Sequence, residues 1–207
     1  MLNSEGFDIW AGDYDESVRD SERGNTYPFA GYGEVLREIR QRVLEKTAPE
    51  VLDIGFGTGT LTAELYRRGC RIWGLDFSPR MIELAREKMP EAQFLEWDFT
   101  NGLPASLQTR KFDSIVATYS LHHLTDEGKI PFLRLLLSLL KEDGKLLIGD
   151  VAFKSRRELE ACKEANASAW DTGEWYFVYE EIEPFFPGKI QFLKVFSCAG
   201  ILILENK

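Results

Sequence analysis

Short apolar runs alternate along this chain with stretches whose apolar residues recur every three or four positions. The runs at 51–54, 71–76, 93–97, 112–118 and 145–150 predict buried strands. Between them, 60–68, 79–88 and the stretch following Thr125 up to 140 keep helical spacing, as do Val35, Leu36, Ile39, Val43 and Leu44 before Pro49. Thr125 and Ser78 stand where helix caps belong, Pro79 where a missing N–H does no harm, and Asp143-Gly144 reads as a turn. After 150 the pattern changes. Helices are predicted over 156–169 and 179–186, then strands at 190–196 and 200–204 around Ser197, Cys198 and Ala199, which make an antiparallel hairpin. Residues 1–32 are aromatic and broken by glycines.

The first strand runs straight into Gly55, Gly57 and Gly59, and a helix follows at once. Such a turn lets a ligand lie against bare backbone beside the positive end of the helix. Asp76 closes the next strand, where a carboxylate can grip ribose hydroxyls at the carboxyl edge of a parallel sheet. Together they predict a nucleoside-bearing cofactor. The dinucleotide pattern G-x-G-x-x-G/A is not met, since its last position falls on Thr60 and Gly59 comes one residue early, and no Gly-Lys-Ser/Thr occurs. A nicotinamide-dependent oxidoreductase is therefore the weaker alternative, and the closing hairpin also speaks against it.

Composition narrows the picture. A chain of 207 residues with 44% apolar content can bury one good core, so one domain is expected. A net charge of -9 argues against an electrostatic grip on nucleic acid. Cys70, Cys162 and Cys198 are scattered and odd in number, so neither a disulfide framework nor a metal cluster is expected, and a cytoplasmic setting fits. The first residues do not read as a signal peptide. The apolar run 132–140 is interrupted by Arg134 and too short for a bilayer, so no membrane partner is expected. Monomer and homodimer both fit. Trp175-Tyr-Phe-Val-Tyr179 reads as an exposed cluster, either a dimer patch or a lid.

The run Asp53-Ile-Gly-Phe-Gly-Thr-Gly59 resembles motif I of the class I S-adenosylmethionine-dependent methyltransferases. Gly74-Leu-Asp-Phe-Ser-Pro79, Glu96-Trp-Asp-Phe99 and Leu121-His-His-Leu-Thr-Asp126 extend the likeness. Phe7-Asp-Ile-Trp-Ala-Gly-Asp-Tyr-Asp15 resembles the leading F-D-x-W-A-x-x-Y-D signature of many small-molecule methyltransferases, and the YrrT-type bacterial group looks nearest. The resemblance implies a Rossmann-like α/β fold: a seven-stranded, mostly parallel sheet, helices on both faces and a C-terminal antiparallel hairpin. It divides the single domain into an N-terminal lid and helix (1–48), a cofactor-binding core (49–150), a helical substrate-side insert (151–188) and the hairpin (189–207). It implies S-adenosyl-L-methionine as cofactor and an enzyme moving a methyl group to a small oxygen, nitrogen or sulfur acceptor by in-line displacement. A non-catalytic binding protein with the same pocket is the alternative from another class.

The same resemblance assigns roles. Asp53 helps position the methionine ammonium, and Gly55, Phe56, Gly57 and Gly59 form the cofactor turn. Asp76 meets the ribose, Phe77 packs on the adenine, Asp98 meets the adenine amino group, and Phe99 or Trp97 supplies an apolar wall. Met81 and Thr118 belong to the cofactor side, and Trp10 and Tyr14 to the lid. Each has a plainer reading: Asp76 as a helix cap, Asp98 as a turn residue, Phe77 and Phe99 as core. His122, His123 and Tyr119, just past the fourth strand, are the catalytic candidates, because imidazole titrates near neutral pH and can deprotonate an acceptor. Alternatively one histidine orients a loop and the other caps a helix. Adjacent side chains are expected to point apart, so the two would not share one proton. The fourth strand ends Thr118-Tyr-Ser-Leu, not Asn/Asp-Pro-Pro-Tyr as in nucleic-acid amino methyltransferases, which favours a small metabolite.

Overall fold

Parallel strands joined by helices build the centre of the structure, a computed structural model that describes residues 21, 24 and 26–206. In chain order come α1 (Tyr32–Val43), β1 (Glu50–Ile54), α2 (Thr60–Arg67), β2 (Arg71–Asp76), α3 (Pro79–Lys88) and β3 (Gln93–Glu96). The short α4 (Ala105–Gln108), β4 (Phe112–Thr118), α5 (Asp126–Ser138), β5 (Leu140–Phe153) and α6 (Arg156–Ala165) follow. β6 (Phe177–Val178), α7 (Tyr179–Ile182), β7 (Ile190–Lys194) and β8 (Ala199–Glu205) complete the chain. The sheet order is β3-β2-β1-β4-β5-β8-β7, with β6 added on β5. β8 runs antiparallel between β5 and β7, so the expected closing hairpin is inserted as a pair.

Two apolar layers sandwich the sheet. On one face α1 buries Val35, Leu36, Ile39 and Val43, and packs with Leu61 and Leu65 of α2 and Ile82 and Ala85 of α3. On the other face α5 contributes Phe132, Leu133, Leu136 and Leu137. Each large side chain so buried is worth about 1.5–3 kcal/mol, and this holds helices whose own propensity is modest. Gly149 shows how closely α1 rides on β5: a Cβ there would lie 2.3 Å from Val35 Cγ1.

Local chemistry sets the boundaries. The Ser78 hydroxyl accepts from Met81 N at the start of α3, and Thr125 Oγ1 accepts from Gly128 N at the start of α5. Asp143-Gly144 makes no separate turn. β4 pairs Phe112 with Leu140 and Ser114 with Lys145, so the intervening residues of β5 bulge within one strand. α6 stops at Ala165, short of the expected 169, and the later helix shortens to α7 followed by a 3-10 turn, Glu183–Phe185.

Two expectations are overturned. The cluster at 175–179 is not an exposed patch, because Phe177 and Val178 form β6 on the edge of β5 and are fully buried. Only Trp175, 44% exposed, faces solvent strongly. Cys162 of α6 and Cys198 beside β8 form a disulfide, while Cys70 is a buried thiol. Sequence spacing hides the bridge, since only the sheet brings α6 to the β7–β8 turn. The cysteine argument for a reducing compartment therefore falls away. Among the described residues, no helix is long and apolar enough to cross a membrane.

Candidate active site

The carboxyl ends of β1, β2 and β4 meet in register, with Asp53 beside Gly74 and Val116. The β1–α2 turn crosses this edge with Gly55, Gly57 and Gly59 at φ 68°, 56° and 74°, a left-handed series that side-chain-bearing residues resist. Their surroundings differ. A Cβ on Gly55 would strike Ser120 Cβ at 2.5 Å and one on Gly59 would meet Met89 Cε at 2.9 Å, whereas Gly57 faces open space. Gly57 is where a ligand can approach the backbone.

Asp76 spans the turn from β2. Its Oδ2 accepts from Gly57 N at 2.8 Å and its Oδ1 from Ser78 N at 3.0 Å. The carboxylate thus ties the loop to α3. It lines a cavity with Phe56, Phe77, Met81 and Phe99. Phe56 also packs on Phe94, ring centroids 4.9 Å apart.

Asp53 lies behind the turn, almost fully buried. The Thr62 hydroxyl donates to its Oδ2, and its Oδ1 has no hydrogen-bond partner among the described residues. Burial, with the charge of Asp76 adding, pushes the Asp53 carboxyl up to about 7 despite the Thr62 bond. A cationic group arriving there would supply what is missing. Asp98 behaves otherwise. It is exposed, its Oδ1 accepts from Thr100 N and Oγ1 at 2.9 and 2.7 Å, and its Oδ2 accepts from Asn101 Nδ2 at 3.2 Å. Asp98 is the cap of a 3-10 turn and does not line the cavity.

The far end of the cavity is aromatic. Tyr119, held at φ 51° just past β4, has ring centroids 5.2 Å from Tyr32 and 5.3 Å from Phe29. Thr118, Ser120 and His123 continue the wall. Trp10 and Tyr14 lie outside the described residues. His122 and His123 do not point apart. The 3-10 turn Leu121–His123 brings their ring centroids to 4.4 Å. His122 is buried, donates from Nδ1 to Asp150 Oδ1 at 2.7 Å and has Nε2 3.4 Å from Glu174 Oε1. Burial opposes its charged form, but the Asp150 carboxylate outweighs it and raises His122 above the ordinary value. Burial and the neighbouring His122 instead hold His123 down to about 4, hence neutral at pH 7.

A methyltransferase domain profile matches residues 51–144. The chain is 37% identical over 155 residues to an uncharacterized methyltransferase of Anoxybacillus flavithermus, covering 75% of this chain and 70% of that one. The chain belongs to the S-adenosylmethionine-dependent methyltransferases. Solved structures give the same fold at low identity. The DhpI–SAH complex superposes at a TM-score of 0.72 with 15% identity, covering 99% and 96% of the two chains. The magnesium protoporphyrin IX methyltransferase of Synechocystis with bound SAH does so at 0.66 with 18% identity, covering 86% and 85%. Tyr32, Asp150 and Glu174 join the residues already named. Tyr32 lines the cavity. Asp150 ends the strand predicted over 145–150, although β5 runs on to Phe153, whereas nothing local marks Glu174.

Proposed function

We propose that this methyltransferase acts on a small-molecule oxygen, nitrogen or sulfur acceptor. The observation that carries this reading is the lining of the cavity, which includes Asp76, Tyr32, Tyr119 and His123 and no Lys or Arg among the described residues. A relative of the same fold, by its name, methylates a small molecule, magnesium protoporphyrin IX.

The residues present fit the cofactor: open space over Gly57, an unpartnered buried Asp53 oxygen and Asp76 at the cavity edge. S-adenosylmethionine, when bound, supplies a methyl group on a positively charged sulfur. Asp53 would hold its ammonium, Asp76 its ribose, and Phe77, Met81 and Phe99 its adenine. Phe56, Thr118 and the turn glycines would complete that wall. Tyr119 and Tyr32 exclude water from the transfer path and tolerate a dispersing positive charge without competing as nucleophiles. Of the two histidines, His123 lines the cavity and His122 does not, which supports His123 at the acceptor end. The insert over 151–188 forms the acceptor side through Tyr176 and Trp170, which pack on Tyr27.

The test is calorimetric titration with S-adenosylhomocysteine, followed by a metabolite screen with S-adenosylmethionine in which S-adenosylhomocysteine release is measured. Micromolar binding and turnover on a small acceptor are expected. Turnover only on nucleic acid or protein would overturn the reading, and tight binding with no turnover on any acceptor would favour a binding protein.

A further inference from the structure

His122 and His123 are neighbours in one 3-10 turn and Glu174 comes from far along the chain, yet the donor atoms of all three lie within 4.8 Å of one another. The 3.4 Å between His122 Nε2 and Glu174 Oε1 decides how to read the cluster. A charge-assisted N–H···O bond is about 2.7–2.9 Å long. Two ligands of one tetrahedral ion, each about 2.0–2.1 Å from it, stand roughly 3.4 Å apart. His123 and Glu174 are only half-buried, so side-chain rotation can draw the wider pairs together.

The surroundings are built in the same sense. Asp150 Oδ1 accepts the hydrogen bond from His122 Nδ1, so Nε2 is the ring nitrogen that faces Glu174 and, once an incoming ion displaces its proton, can ligate that ion. Tyr176 OH donates to Glu174 Oε2 at 2.6 Å and leaves Oε1 for the cluster. Asp150 is wholly buried, and its Oδ2 has no hydrogen-bond partner among the described residues. The nearby buried cation, Lys129, is engaged by Asp126 Oδ1 at 2.8 Å and by the Trp175 carbonyl. Two carboxylates thus flank the histidines.

We propose that His122, His123 and Glu174 bind a divalent ion of the zinc and cobalt class, with Asp150 and Tyr176 as outer partners. Two imidazoles and one carboxylate suit such borderline ions better than magnesium or calcium. Three protein ligands leave at least one position open on a tetrahedral ion. His123 lies on the cavity wall, so the site belongs to the acceptor end. On the small-molecule reading, on which this clause alone rests, the open position takes a hydroxyl or thiol of the acceptor.

Untagged protein stripped with EDTA and titrated with Co²⁺ is expected to take up one ion per chain and to show visible d–d absorption bands that Zn²⁺ abolishes. Glu174→Gln should weaken uptake at least ten-fold, and Tyr176→Phe about ten-fold, with thermal unfolding confirming that both fold. No uptake by the folded parent would overturn the site, as would uptake that Glu174→Gln leaves unchanged. S-adenosylhomocysteine titration of the same stripped protein keeps the two readings apart. Cofactor binding without Co²⁺ uptake sinks the metal site alone, whereas Co²⁺ uptake without cofactor binding upholds it and sinks the functional reading.

Discussion

Replacing Asp53 by Asn separates what this carboxylate costs the ligand-free fold from what it contributes to cofactor binding. In the folded chain one oxygen is held by Thr62 and the other has no hydrogen-bond partner among the described residues. Its carboxyl rises from the ordinary 3.8 to about 7. At about 1.4 kcal/mol per tenfold change, ionising it in the fold costs about 4 kcal/mol at pH 8. The sign follows from the raised value. The folded carboxyl holds its proton more tightly than the unfolded one, so the cost is absent below pH about 4, grows as the pH rises and is complete above about 7. Asn keeps an acceptor for Thr62 and carries no charge, but leaves a buried amide N–H without a partner, an offset of about 1–3 kcal/mol. The variant should therefore be about 1–3 kcal/mol more stable at pH 8, a rise in Tm of about 2–10 °C, and gain little or nothing at pH 5. Its affinity for S-adenosylhomocysteine should fall at least ten-fold, because a charge-assisted hydrogen bond is lost. Thermal unfolding at both pH values and calorimetry measure all three. A variant destabilised at pH 8, or shifted equally at both pH values, would refute the reasoning.

Asp76→Ala should weaken S-adenosylhomocysteine binding by about ten-fold or more by calorimetry, since both a ribose partner and the tether of Gly57 N and Ser78 N disappear. Gly57→Ala meets no atom within 4 Å but must hold φ at 56°, so a loss of about 1–2 kcal/mol in thermal stability is expected, with a larger fall in cofactor affinity because the new methyl fills the approach. Reducing the Cys162–Cys198 bridge, which closes a sequence separation of 36, should lower stability by about 2–4 kcal/mol. Cys198→Ser should reproduce that loss without reductant, and equal Tm values with and without dithiothreitol would contradict it.

The turn and the strand-end acids around the cavity were legible because their signals are local. The turn glycines, Asp53 and Asp76 sit at strand ends, and strand ends are where apolar runs stop in the sequence. β2, α3 and β4 begin and end where their patterns do, with Ser78-Pro79 and Thr125 as punctuation. The cluster around His122 was not legible. Glu174 meets His122 only because Phe177 and Val178 add a strand to β5 and because Lys129, a charged residue on an otherwise apolar helix face, binds the Trp175 carbonyl. Asp98 misled for the opposite reason. Its position fits the family pattern, yet Thr100 and Asn101 satisfy the carboxylate within its own turn. The histidine pair failed on geometry, since the expectation of diverging neighbours holds for a strand and not for a tight 3-10 turn.

The disulfide has a topological consequence. Residues 162–198 form a covalent ring that contains Glu174, Tyr176 and the whole of β6. Asp171 and Thr172 are exposed within that ring, while β5 and β8 hold its flanks in the sheet. A single proteolytic cut at 171–172 therefore yields two pieces that stay joined. They would migrate as an intact chain under non-reducing conditions and separate only once the bridge is opened.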